Sequence, residues 1–332
     1  MEVPSVSGIR GLKARGCLFA LLVLALFGAG PAWAQTISLY KRDTGNINFV
    51  TTGGSLRNAP NVTNACTVNT TSTQTLSGIP ATRTVRSAYL YWGASGNAAD
   101  TSVTLNGTTV TASRTFARTF NNGTVFNFFG AFADVTSLVA GNGSYTFGGL
   151  TIATGTPWCG SQAVVGGWSL IVVYEGAAER LRAINIYDGL DYFYGSSVTQ
   201  TPGGFRVPPA NIDGRIAVFT LEGDPQNSTA SGGVSEALRF NGTLLDDGLV
   251  PANSDPTVQQ FDGTISTQGS VTSYGVDVDQ YDVSALLLPG QTSATTVYSA
   301  GADLVLLMAQ VVSATSDPAV DLSVTKTHSG TF

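Results

Sequence analysis

The sequence contains a single histidine, His328, so proton transfer near neutral pH would have to run through carboxylates. Ser-His-Asp and Cys-His catalysis lack their base, and a His-ligated zinc or iron centre lacks its ligand. No glycine-rich phosphate or dinucleotide fingerprint follows a strand. Paired carboxylates are the one hydrolytic arrangement that needs no imidazole. Glu175, Asp188, Asp191, Glu222 and Asp224 could supply such a pair, but no spacing among them sets two across a cleft. No catalytic residue is therefore assigned. The alternative use of acids is calcium, which takes six to eight oxygens. Asp277 and Asp279 alternate onto one face of a strand, Asp282 follows, and Asp303 opens the next long apolar run. Glu222, Asp224 and Glu236 make a second acidic set. The competing reading of all these acids is turn chemistry and capping. Calcium is the only cofactor expected, if any.

Two further groups could do chemistry. Tyr187, Tyr192, Phe193 and Tyr194 lie close together, interleaved with Asp188 and Asp191. Such rings can form a platform for a sugar or a partner protein, or can fill a seam between modules. Cys66 and Cys159 are the two cysteines beyond the leader, and in an oxidising compartment an even pair favours one disulfide.

The elements that must hold these residues are strands. No segment sustains a helical apolar period over three turns, whereas short alternating runs recur between Gly, Asn, Asp and Pro. Ile37 to Tyr40 and Ile47 to Thr51 read as a hairpin across Asp43-Thr44-Gly45. Trp168, Leu170, Val172 and Tyr174 line one face of a strand and Ile171 and Val173 the other, which marks a central, doubly covered strand.

An internal repeat organises the whole. Val103 to Val110 is echoed by Leu238 to Leu245, each with an Asn-Gly hairpin turn, at Asn106-Gly107 and Asn241-Gly242. Asp134-Val135-Thr136…Gly141 is echoed by Asp282-Val283-Ser284…Gly290, in which the acid and hydroxyl cap a short helical turn. A Ser/Thr-rich strand and a long apolar strand close each copy. The fold class expected is all-β: two tandem antiparallel β-sandwich modules, jelly-roll-like, after a cleaved signal peptide. The expected division is a leader at 1–34, an N-terminal β segment at 35–85, module one at 86–176, a connector with the aromatic cluster at 177–214, and module two at 215–315.

The order of strand, Asn-Gly hairpin, Asp-Val-Thr turn, glycine and strand resembles galactose-binding-like jelly rolls. The run Asp321-Leu322-Ser323-Val324-Thr325-Lys326-Thr327 resembles the opening strand of the Ig-like DUF11 repeat of bacterial surface proteins, so 318–332 reads as the truncated start of such a repeat. Gly167 to Glu175, Ile186-Tyr187-Asp188-Gly189 and Asn241-Gly242-Thr243 resemble the N-terminal head of such adhesin-like proteins. The resemblance implies surface display and supplies no site residues.

The first 34 residues carry Arg10, Lys13 and Arg15, an apolar core from Leu18 to Phe27, and Ala32-Trp33-Ala34 before the cut. Export to the cell surface or medium follows, with no membrane span after cleavage. The remainder has 13 Lys plus Arg against 21 Asp plus Glu, a balance unsuited to nucleic acid or an anionic membrane. The function expected is a non-enzymatic, adhesin-like binding or structural protein with an extracellular protein or glycan as partner. A carbohydrate-binding module is the first alternative and a histidine-free glycoside hydrolase the second.

Overall fold

The structure, a computed structural model, describes residues 36–222, 236–250 and 260–317. The leader and the DUF11-like run lie outside the described residues. Alternation of small β-branched and aromatic residues produces antiparallel strands, with one short α-helix among the described residues, α1 (Asn61–Asn64). Among the described residues no helix is long and apolar enough to cross a membrane.

The first half holds β1 (Ser38–Ser55), β2 (Thr71–Leu76), β3 (Thr84–Ser95), β4 (Ser102–Leu105), β5 (Thr108–Thr111), β6 (Arg114–Asn121), β7 (Val125–Asp134), β8 (Gly143–Gly148) and β9 (Gly166–Glu175). The second holds β10 (Leu181–Phe193), β11 (Ser196–Gln200), β12 (Gly214–Leu221), β13 (Ala237–Phe240), β14 (Thr243–Leu244), β15 (Asp277–Asp282), β16 (Thr296–Ala300) and β17 (Val305–Thr315). One nine-stranded sheet runs β15-β12-β17-β10-β1-β9-β3-β7-β6. Two four-stranded sheets, β2-β8-β4-β5 and β11-β16-β13-β14, complete the architecture.

The duplication reaches further than the matching sequence motifs. Strands β9-β3-β7 and β17-β12-β15 occur in the same order, and so do the two small sheets. β1 flanks β9 as β10 flanks β17, and β2 pairs with β8 as β11 pairs with β16. The stretches read as an N-terminal segment and a connector thus supply the opening strands of each unit. Both Asn-Gly turns take positive φ at both residues, 50° and 77° at Asn106 and Gly107, 48° and 85° at Asn241 and Gly242. That conformation matches the twist of the strands it joins. The Asp134 carboxylate accepts from Thr136 N at 2.9 Å and the Asp282 carboxylate from Ser284 N at 2.8 Å, each opening a single 3₁₀ turn.

The hairpin expected across Asp43-Thr44-Gly45 does not form. β1 is one 18-residue strand. Its first part, Ser38 to Asn46, pairs with β10, and its second, Ile47 to Ser55, pairs with β9. A hairpin would have to pair the two arms with each other, whereas here each arm bonds a different strand. The change of partner falls beside Gly45, whose φ of +149° is open to glycine.

Three cores separate four layers. Trp92, Phe147, Trp168 and Leu170 pack between the first small sheet and its half of the large one. Ile216, Phe240, Tyr298 and Leu307 do the same in the second half. The two halves of the large sheet also face each other over Phe49, Tyr91, Phe128, Phe219, Val278 and Met308. β9 is the doubly covered strand the alternation predicts: Trp168, Leu170, Val172 and Tyr174 enter one core, and Ile171 and Val173 another. Cys66 and Cys159 form a disulfide, their Cα atoms 5.3 Å apart, between the loop after β1 and the loop before β9.

Candidate functional site: a cleft between the two halves

The four clustered aromatic residues do not form one platform. A bulge in β10 between Asp188 and Asp191, then strict alternation, sends them two ways. Tyr187 and Phe193 enter the core of the second half, where Phe193 meets Phe261 edge-on at 5.6 Å and Tyr298 at 6.2 Å. Burial pushes the Tyr187 phenol up from its ordinary pKa. Tyr192 and Tyr194 point the other way and meet Phe120 of β6, with ring centroids 5.5 and 5.1 Å away. Arg118 lies 4.7 Å over the Tyr192 ring and bonds Asp191 at 2.8 Å. Tyr192 therefore helps seal the seam, while Tyr194 remains 40% exposed.

Tyr194 and Phe120 border a cleft of about 460 Å³ that draws on both halves. From the first half come Phe120, Asn122, Thr124 and Phe126 of the β6–β7 hairpin and Ser161 and Gln162, just beyond the disulfide. From the second come Tyr194, Glu222, Asp303 and Leu306. The hairpin turns at Gly123, φ +103°, so that Phe120 and Phe126 stack across it with centroids 6.3 Å apart. The Asp303 carboxylate accepts from the N–H of the next residue, Leu304, at 2.7 Å, just ahead of β17. Burial raises its pKa above the usual carboxylate range. Among the described residues that line the cleft there is no Lys, Arg or His.

The four aspartates expected to hold calcium are not brought together. Asp277 and Asp279 are fully buried side by side on β15, Asp282 is exposed at the strand's far end, and Asp303 is in the cleft lining. Among the described residues no three Asp, Glu, His or Cys side chains are placed to share an ion. Asp277 and Asp279 instead clasp the loop that precedes β15. Asp277 Oδ1 accepts from Gly263 N at 2.8 Å and Thr264 N at 3.0 Å, and Asp279 Oδ1 accepts from Ser266 N at 3.0 Å. Burial first, then the charges of neighbouring aspartates, push both well above the ordinary carboxylate range.

The remaining acids are similarly engaged. Asp188, nearly inaccessible, accepts from both nitrogens of Arg114 at 2.9 and 2.5 Å and from the Tyr91 hydroxyl at 2.8 Å. Burial raises Asp188 and the Arg114 bonds act against that rise. Glu175 pairs with Arg86 at 2.9 Å on the surface, and Asp191 with Arg118. The Glu236 carboxylate accepts from Phe261 N at 3.2 Å. Asp224 lies outside the described residues. Of the carboxylates weighed for hydrolysis, the cleft lining includes Glu222, and Asp303 joins it there.

Residues 34–315 match the sequence profile of the family described as "Protein of unknown function (DUF3344)". The chain belongs to the DUF3344 family. Its match spans both halves and ends before 318–332, so the family shown is DUF3344, not DUF11. Among solved structures, PNGase F, a glycosylasparaginase from Flavobacterium meningosepticum, is similar over 81% of this chain and 96% of that one, with 11% identity and a TM-score of 0.25. No curated protein matches the chain.

In this DUF3344 chain, sequence reasoning missed Phe120 as the partner of Tyr194, and Phe126, Asn122 and Gln162 as residues that line the same cleft. The signal for the first pair was present: Phe120 and Phe126 flank Asn121-Asn122-Gly123, a turn composition. Nothing local indicated that this turn would meet a strand end some 70 residues on, since that depends on how the large sheet folds over.

Proposed function

We propose that this DUF3344 protein is exported and serves as a non-catalytic, adhesin-like binding protein, with the cleft between its halves as the binding site. The observation that carries this reading is the cleft's composition. Its lining combines aromatic rings with amide, hydroxyl and carboxyl groups, on turns and loops at the strand ends of both halves. A concave, mixed surface on a rigid β scaffold suits recognition. The leader sequence and the disulfide support export.

With no imidazole among the described residues, an acid pair is the hydrolytic option they offer, and Glu222 with Asp303 would be that pair. This second reading, a histidine-free glycoside hydrolase, draws on both lying in one cleft. The test is the secreted protein assayed on a broad chromogenic glycoside panel beside immobilised extracellular proteins and glycans. Binding that weakens in Tyr194→Ala, with no turnover, is the expected outcome. Turnover abolished by Glu222→Gln or Asp303→Asn would make the protein an enzyme instead.

A further inference from the structure

We propose that the cleft takes an uncharged pyranose ring of a glycan, stacked on Tyr194 and Phe120 and hydrogen-bonded through its hydroxyls to Asp303, Asn122 and Gln162. The inference rests on the cleft being the binding site and assigns the chemistry of its occupant.

Three observations point to that chemistry. The first is shape and polarity. A sugar ring presents a C–H face and a rim of hydroxyls, and the cleft lining offers both aromatic rings and polar side chains to match. Tyr194 is one of the few large hydrophobic side chains left exposed, and its ring packs on Phe120, which in turn packs on Phe126. A partly exposed ring that is held by other rings is preorganised for stacking.

The second is the donor and acceptor set. Asp303 accepts only, while Asn122 and Gln162 each both donate and accept, as do Ser161 and Thr124. Hydroxyl groups can satisfy all of these, because each donates once and accepts twice. A wholly apolar occupant would leave the Asp303 carboxylate desolvated with only the Leu304 N–H beside it, at a cost.

The third is charge. The described lining contains no Lys, Arg or His. Arg118 lies two residues from Phe120, but its guanidinium is committed to Asp191 and covers Tyr192. Sulfated, phosphorylated or carboxylated sugars would place an anion beside the Asp303 carboxyl group, and like charges brought into a desolvated cleft repel. The occupant is therefore a neutral sugar.

The experiment is a glycan array probed with the secreted full-length protein, carrying neutral hexose and N-acetylhexosamine glycans, sialylated, uronate and sulfated glycans, chitosan, and a set of extracellular peptides. Wild type is compared with Tyr194→Ala, Tyr194→Phe and Asp303→Asn, each checked by thermal melt for an intact fold. Binding is expected on neutral glycans. It should fall about tenfold in Tyr194→Ala, as loss of one stacking contact implies, fall also in Asp303→Asn, and be kept in Tyr194→Phe. Binding confined to acidic glycans, chitosan or peptides, yet lost in Tyr194→Ala, would overturn the sugar class while leaving the cleft as the binding site. Binding of any class that neither cleft substitution weakens, or no binding at all, would remove the cleft reading and this inference together.

Discussion

Arg114 shows what a single residue carries in this protein. Its guanidinium lies 4.1 Å from the Tyr40 ring centroid and 4.3 Å from that of Phe132, and both its terminal nitrogens reach Asp188. Asp188 sits on β10, so the pair links β6 to the strand that pairs with β1, across the interface between the halves. Removing one partner of a buried pair leaves the other charge uncompensated, which costs more than the pair itself contributes. Arg114 is about one-third exposed, which tempers the loss. Arg114→Ala should therefore destabilise by about 2–3 kcal/mol, measured by urea unfolding. Substituting both residues with apolar side chains of similar volume should recover much of that loss. An Arg114→Ala midpoint equal to wild type would show that the pair is not buried as described.

At the scale of the element, the loop before β15 depends on two carboxyl groups that burial keeps from ionising readily. Asp277 and Asp279 face Asp247, Asp262 and Tyr281 as well as the loop's own N–H groups. The loop in turn reaches the first half: the Thr267 hydroxyl donates to Thr51 O at 3.1 Å, and the Ser55 hydroxyl donates to Tyr274 O at 2.5 Å. Both aspartates have folded pKa values raised above those of the unfolded chain. The folded state thus holds more protons, and stability falls as pH rises between the two values. The contribution is full below the ordinary carboxylate pKa and is lost as pH climbs through the raised ones. Asp213, held down by Arg182 against its own desolvation, acts oppositely and loses its contribution as pH falls. Asp188, Asp247 and Asp303 are raised by burial as well, against Asp213 alone lowered, so the melting temperature should be higher near pH 5 than near pH 8. Asp279→Asn should flatten that slope. A melting temperature that rises steadily to pH 8 in the wild type would contradict the placement of these acids.

The whole molecule is decided by how closely its layers approach. At Gly93 a Cβ would come within 2.6 Å of Met308 Sδ and 2.8 Å of the Phe129 carbonyl oxygen. Backbone cannot yield as a flexible side chain can, so Gly93→Ala must push β3 from its neighbour or from β17 across the core. Gly107 offers the contrast: nothing lies within 4 Å of its Cβ position, and its φ of +77° is the only obstacle. Gly93→Ala should cost about 2–3 kcal/mol by overpacking, and Gly107→Ala about 1 kcal/mol by backbone strain alone. Thermal melts of the two would rank them, and the reverse order would deny the face-to-face packing of the halves. The disulfide acts at this scale too. It spans 93 residues and restrains the segment that carries Ser161 and Gln162 into the cleft.

The sequence by itself determined whatever rests on local chemistry. Alternation of period two named β9 and both of its faces, Asn-Gly named the hairpins at 106 and 241, Asp with a hydroxyl two residues on named the turns after β7 and β15, and an even cysteine count named the disulfide. Each follows from steric and hydrogen-bonding rules that act within a few residues. Only the tertiary structure decided which strands would be partners. Whether Asp43-Thr44-Gly45 turns or runs straight depends on β9 and β10 being available on either side of β1, far along the chain. The same holds for the aromatic cluster: one bulge in β10 sends Phe193 to a core and Tyr194 to the cleft, and Phe120 meets Tyr194 only because the large sheet folds back on itself. Spacing in sequence cannot supply that information, because the energy that selects it comes from surfaces buried between segments that the chain order leaves far apart.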